Sequence, residues 1–124
     1  MKLGDAFYFT FEIHLWIVIS NPSPDGQLVI VSVTTKEPYK DSTCELHAGD
    51  HPKIKHDSLI DFKRARLLSL DDFKRLAEKK ALRIAAPVSK KLLKRIHDGA
   101  GLTRYMPVKC QDLLDEQGLI TLSP

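Results

Sequence analysis

The chain predicts a small, mainly β domain with C-terminal helices, an α+β fold, and three observations carry that prediction. Its first third holds three short apolar runs rich in β-branched and aromatic residues. Nothing resembling a crossover helix fits between the second and third runs, so those two are expected to pair antiparallel. After residue 68 the apolar spacing becomes helical, with serines placed to cap. At 124 residues, 43% hydrophobic and 28% charged, the chain has the size and balance of one globular domain with one core. Its strand-rich part covers about residues 3–68 and its helical part about 69–118.

Gly4-Asp5 opens the first run, Ala6 to Phe11, whose aromatic density and shortness favour a strand. Leu15 to Ser20 is apolar on both faces and reads as a central strand. Asn21 to Gly26 is dense in turn formers, and Leu28 to Val33 is a β-branched third strand. Residues 36–42, with Pro38, read as a loop, and Thr43 to Leu46 as a short strand. Residues 49–56 form a second loop, in which Pro52 pushes His51 toward extended backbone. Residues 58–68 alternate poorly, and the strand is expected only near Ala65 to Leu68. Ser69-Leu70-Asp71-Asp72 has the form of a capping box, with Phe73, Leu76 and Ala77 at helical spacing behind it. Ser89 caps a second helix with an apolar stripe of Val88, Leu92, Leu93 and Ile96, and Asp98-Gly99-Ala100-Gly101 is read as its end. A third short helix starts at Pro107 and stops at Gly118.

Neither Leu15–Ile19 nor Leu28–Val33 is long enough to span a bilayer, and no secretory h-region precedes a small-residue cleavage site. The expectation is a cytoplasmic protein, without membrane contact, whose Cys44 and Cys110 are free thiols. The net charge is only +3 but unevenly spread. Residues 53–95 hold 14 Lys/Arg against 5 Asp/Glu, and the remainder holds 5 against 11. That asymmetry reads either as a basic face for nucleic acid or as the solvated faces of two lysine-rich helices.

The segment Cys44 to Ser58 concentrates chemistry. It carries three of the five histidines, one of the two cysteines, Lys53, Lys55 and a Gly-Asp-His-Pro turn. Proton-transfer groups beside phosphate-binding cations suit an RNA site. A zinc site is the rival reading, because Cys44, His47, His51 and His56 form a C-x2-H-x3-H-x4-H string. That spacing matches no zinc module, so no metal or other cofactor is expected. No Walker loop, Gly-x-Gly-x-x-Gly or paired metal carboxylates occur. His47 and His97 read as structural or solvated, His97 through the dipole of its helix end.

Over roughly residues 3–97 the order of elements resembles the PemK/MazF-like toxins of type II toxin–antitoxin systems. The matching residues are Gly4-Asp5 at the first strand, His14-Leu15 before the apolar Trp16 to Ser20, the strand Leu28 to Thr35 ending in a hydroxyl residue, and His56-Asp57-Ser58 followed by Arg64 to Leu68 and Ser69-Leu70-Asp71. The resemblance implies a small SH3-like antiparallel β-barrel decorated by two or three helices. It implies a metal-independent endoribonuclease acting on single-stranded RNA, a homodimer, and a cognate antitoxin that covers the site. Departures are plain: His14 stands where the family has its catalytic arginine, the first inter-strand loop is short, and the Gly-Asp-His-Pro and Lys-x-Lys-His elements are additions.

Cleavage of that kind needs a base for the 2′-hydroxyl, an acid for the leaving 5′-oxygen and cations for the developing charge. Imidazole, with an ordinary pKa of about 6.5, suits the proton steps. The resulting candidates are His14, Thr35, His51 and His56 for catalysis, with Thr35 taken from the resemblance. Lys53, Lys55 and Arg64 are the candidates for phosphate binding. His14 reads equally as a strand-end structural residue. Tyr8, Trp16 and Tyr39 are candidate stacking rings, although Trp16 sits in a run apolar enough to be core. Two alternatives stay open: a non-catalytic SH3-like module binding RNA or protein, and a toxin of the same fold that inhibits a protein such as DNA gyrase.

Overall fold

The three apolar runs become Ala6–Phe9 (β1), Leu15–Val18 (β2) and Gln27–Thr35 (β3), each antiparallel to the next. They appear in a computed structural model that describes residues 1–122. Glu45–Leu46 (β4), Ser58–Ser69 (β5) and Leu82–Ala85 (β6) complete a six-stranded sheet in the order β4-β5-β3-β2-β1-β6. All its pairings are antiparallel, and it curves as a half-barrel. Three helices, Leu70–Glu78 (α1), Lys90–Leu102 (α2) and Val108–Glu116 (α3), decorate it. The fold is α+β and mainly β, as expected. Among the described residues no helix is long and apolar enough to cross a membrane.

Alternation along the strands sorts side chains to two faces. Leu15, Ile17, Val29, Val31, Ile60 and Phe62 point to the face covered by α2 and α3, where Leu92, Ile96, Ala100, Cys110 and Leu114 meet them. Phe7, Phe9, Trp16, Val18, Leu28 and Ile30 point the other way, against Phe73 of α1. Phe7 meets both Phe9 and Phe73 edge-on, at ring separations of 5.2 and 5.3 Å. β2 is buried at every position, as its two-faced apolarity requires.

The last strand of the first half is much longer than expected. β5 runs unbroken from Ser58, not only from Ala65, and it pairs along the whole of β3. Its poor alternation has a geometric cause. The step from Ile30 to Ser32 on β3 faces the step from Arg66 to Asp61 on β5, so β5 carries a large bulge that resets which face each residue takes. Arg66, just past the bulge, lays its guanidinium over Phe9 and Trp16 at 5.1 and 4.8 Å.

β6 corrects the reading of residues 69–118 as helical. The chain leaves α1 through Lys79 and the left-handed Lys80, φ 55°. It then returns as an edge strand beside β1, with Phe7 opposite Ile84. Four residues, two of them exposed, give too short a pattern for periodicity to register. The N-cap expectations hold: Ser69 Oγ accepts from Asp72 N at 3.0 Å with the reciprocal bond present, and Ser89 Oγ accepts from Leu92 N at 3.1 Å.

Asp98 to Gly101 does not end α2, which continues to Leu102. The glycines there serve close approach. A Cβ on Gly99 would lie 2.9 Å from Cys44 Cβ and 3.1 Å from Phe62 Cζ, and one on Gly101 would lie 3.0 Å from the Thr121 carbonyl. His97, too, does more than face a helix dipole. It is buried, and its Nε2 donates to the Ile19 carbonyl at 2.7 Å, tying α2 to the end of β2.

Gly99→Ala is expected to cost about 1–3 kcal/mol through overpacking against Cys44 and Phe62, read as a lowered urea midpoint with an unchanged m-value. An unchanged midpoint would show that the contact relaxes freely.

Candidate functional site

The ends of β1, β2 and β3 and the two loops that follow β3 and β4 meet around a cleft of about 350 Å³. Its walls include Tyr8, His14, Thr34, Thr35, Glu37, Lys40, Lys53, Lys55, His56 and Ser58. Five residues expected from sequence, His14, Thr35, Lys53, Lys55 and His56, are thereby brought together.

The loop over residues 51–57 owes its path to two anchors. Ile54 is buried in the core on the helix-covered face, so its neighbours Lys53 and Lys55 are turned outward. His51 is the second anchor. Its Nε2 donates to the Ala86 carbonyl at 2.6 Å and its Nδ1 accepts from the Lys53 backbone N–H at 3.0 Å. Both ring nitrogens are occupied, the ring is buried, and it does not line the cleft. His51 therefore anchors the loop and stands apart from the other residues expected for proton transfer. The loop closes where Lys36 N donates to the Asp57 carbonyl at 3.2 Å, against the end of β3.

That closure sets His56 beside Thr35, with Nε2 and Oγ1 3.1 Å apart. Across the cleft, His14 is half-buried at the start of β2, and its Nδ1 lies 3.3 Å from the Val33 carbonyl. A carbonyl only accepts, so Nδ1 carries the proton and neutral His14 keeps Nε2 as a lone-pair acceptor. One imidazole thus contacts a backbone carbonyl, and the second a hydroxyl.

Three ammonium groups, on Lys40, Lys53 and Lys55, face one carboxylate, Glu37. Lys40 is the best fixed of them, donating to Thr34 Oγ1 at 2.8 Å and to the Thr35 carbonyl at 3.0 Å and pairing with Glu37 at 3.0 Å. Hydrogen bonds from Tyr39 and Lys40 hold the Glu37 carboxyl below its ordinary pKa. Lys53 and Lys55 make no ion pair among the described residues, so their charge is available to an anion. Lys40 and Glu37 were not singled out in the sequence. They sit in a segment readable only as a polar loop, and their role comes from hydrogen bonds that the sequence does not signal.

The remaining candidates lie elsewhere. Arg64, on the exposed side of β5, is 3.8 Å from Asp61 and is not brought to the cleft. Trp16 is core on the opposite face, with Nε1 donating to Glu12. Tyr8 does line the cleft, under the Arg83 guanidinium at 5.0 Å. The Cys44/His47/His51/His56 string does not converge. Cys44 is buried beside the Arg95 carbonyl, His47 pairs with Asp57 at 3.1 Å, and no group of three metal-ligating side chains exists among the described residues. Both cysteines are free, and burial pushes each thiol up to about 11.

Two outcomes follow. His51→Ala should lower stability by about 1–3 kcal/mol, since it strands the Ala86 carbonyl and the Lys53 N–H, while His56→Ala should stay within ~0.5 kcal/mol of the parent in the same urea titration. At pH 8 the native thiols should resist a disulfide reagent and react only after denaturation. Fast native labelling would contradict the burial. No protein-family model matches the chain and no curated protein sequence matches it, so the functional reading rests on the cleft.

Proposed function

We propose that the cleft binds single-stranded RNA and cleaves it without a metal, by attack of a 2′-hydroxyl on the adjacent phosphorus. One observation carries the reading: two exposed or half-exposed imidazoles and three lysines line the same cleft, together with a hydroxyl that contacts one of the imidazoles. In this mechanism His14 Nε2 takes the 2′-OH proton. The new O2′–P bond forms as the P–O5′ bond breaks, and the leaving 5′-oxygen takes a proton from His56. The products are a 2′,3′-cyclic phosphate and a 5′-hydroxyl. Thr35 orients the His56 ring. Lys53 and Lys55 hold the phosphate and stabilise charge that grows on its non-bridging oxygens, while Lys40 fixes Glu37 and the end of β3 beside them.

Within the PemK/MazF-like resemblance, this activity makes the chain the toxin of a type II pair. An antitoxin segment would then compete with RNA for the cleft, and a second copy of the chain would complete a homodimer.

The test is cleavage of a mixed-sequence single-stranded RNA in EDTA. Parent protein should yield cyclic-phosphate ends, and His14→Ala and His56→Ala should each fall by about 10²–10⁴-fold with unchanged folding. Lys53→Ala should weaken RNA binding and flatten its salt dependence. Binding without cleavage by the parent would replace the ribonuclease with a non-catalytic RNA-binding module. Neither binding nor cleavage would leave the protein-poisoning alternative, such as gyrase inhibition, in its place.

A further inference from the structure

A second cleft, also about 350 Å³, adjoins the first and shares Thr34 and Lys40 with it. Its other walls are Tyr39, Asp41, Ile60, Asp61, Lys63 and Tyr105. Two tyrosine rings border it while 80% and 57% exposed, and neither ring packs on another aromatic among the described residues. Rings left this far in water contrast with Phe7, Phe9, Phe62 and Phe73, which the core buries, and they offer stacking surface at little entropic cost.

Tyr39 is held through its hydroxyl and Tyr105 through its backbone. Tyr39 donates its hydroxyl to Glu37, the carboxylate that also fixes Lys40. The segment carrying Tyr39 is stapled to the one carrying Tyr105 by Asp41, which accepts from Thr103 Oγ1 at 2.7 Å and from Thr43 N at 3.0 Å, while Tyr105 N donates to Thr103 Oγ1 at 3.2 Å. Burial raises the Asp41 carboxyl, but the hydrogen bonds from Thr43 and Thr103 outweigh it and keep the group below its ordinary pKa. Asp41 is therefore committed to the staple. Asp61 is not: its carboxylate is 27% exposed and has only the 3.8 Å approach of Arg64. Lys63 makes no ion pair among the described residues.

We propose that this second cleft is a nucleobase subsite, in which a base stacks on Tyr39 and Tyr105 and an exocyclic amine donates to Asp61. It rests on the reading of the first cleft as an RNA phosphate site, and it deepens that reading. A nucleotide whose phosphate lies on Lys53 and Lys55 in the first cleft has its base directed past Thr34 and Lys40, the residues common to both clefts, into the second. Adenine and cytosine carry an amine that a carboxylate can accept from, whereas uracil presents a carbonyl at the equivalent edge and meets Asp61 as a repulsion. The subsite therefore discriminates against uridine at one position.

The experiment measures binding of fluorescein-labelled 2′-O-methyl hexamers of A, C and U, which cannot be cleaved through a 2′-hydroxyl. The parent should bind oligo(A) and oligo(C) about tenfold or more tighter than oligo(U). Tyr39→Ala and Tyr105→Ala should each weaken oligo(A) by about tenfold, in the range measured for loss of one stacked base, without changing the salt slope. Asp61→Asn should erase the preference over oligo(U). Lys53→Ala should weaken all three hexamers alike and reduce the salt slope. If Lys53→Ala behaves so while both tyrosine variants bind like the parent, the base subsite is wrong and the phosphate cleft stands. Equal affinity of the parent for all three hexamers overturns the role of Asp61. If folded parent protein binds none of them, both readings fall together. Selective binding without RNA cleavage upholds the subsite and removes only the catalysis.

Discussion

The bulge in β5 is the constraint on which the rest of the architecture depends. A strand of twelve residues pairing with one of nine cannot remain in simple register. Concentrating the mismatch opposite Val31 divides β5 into two straight limbs. The limb from Ser58 to Asp61 lies beside the end of β3 and supplies walls to both clefts. The limb from Arg66 to Ser69 lies beside the start of β3 and delivers the chain to α1 with Ser69 already in capping geometry. Bending at a bulge is how an antiparallel sheet curls without breaking its ladder, and here it lets one sheet serve a helix layer on one face and an aromatic cluster on the other.

The parts of this fold that sequence made legible are those whose information is local. Strands two and three announce themselves by β-branched runs about a turn-rich linker, and Ser69 and Ser89 by cap chemistry that needs only three neighbours. Hidden features were those whose cause lies far away in the chain. β5 loses its alternation because of a register shift against β3. The glycines at 99 and 101 look like helix terminators, but Gly99 makes room for Cys44, more than fifty positions earlier. β6 is a strand because β1 needs an edge partner, and nothing within its four residues demands it.

The same division governs the candidate site. Lys53, Lys55 and His56 are readable as chemistry, since residue type alone limits what an imidazole or an ammonium can do, whereas His14 and Thr35 come from the resemblance. His51 was not separable from His56 on that basis. Five residues apart in one loop, they differ only in that one ring finds the Ala86 carbonyl and the other finds Thr35. Lys40 shows the converse. Its role comes from the hydrogen bonds that hold it at the junction of two clefts, and a lysine in a polar loop gives no warning of that. The loop over residues 51–57 thus separates its tasks by burial: His51 and Ile54 fix its path, and the residues around them meet the solvent.

The cover that Arg66 provides over Trp16 has a practical consequence. Trp16 is the chain's sole tryptophan, and it is seated on the face of β2 opposite Leu15, which lines the cleft. Its indole is enclosed by Phe9 and the guanidinium carried just beyond the β5 bulge. The protein therefore contains an internal optical gauge of its own sheet curvature. Emission from that indole reports whether the two limbs of β5 remain docked, and it does so from behind the site, where an added ligand touches nothing that the fluorophore touches.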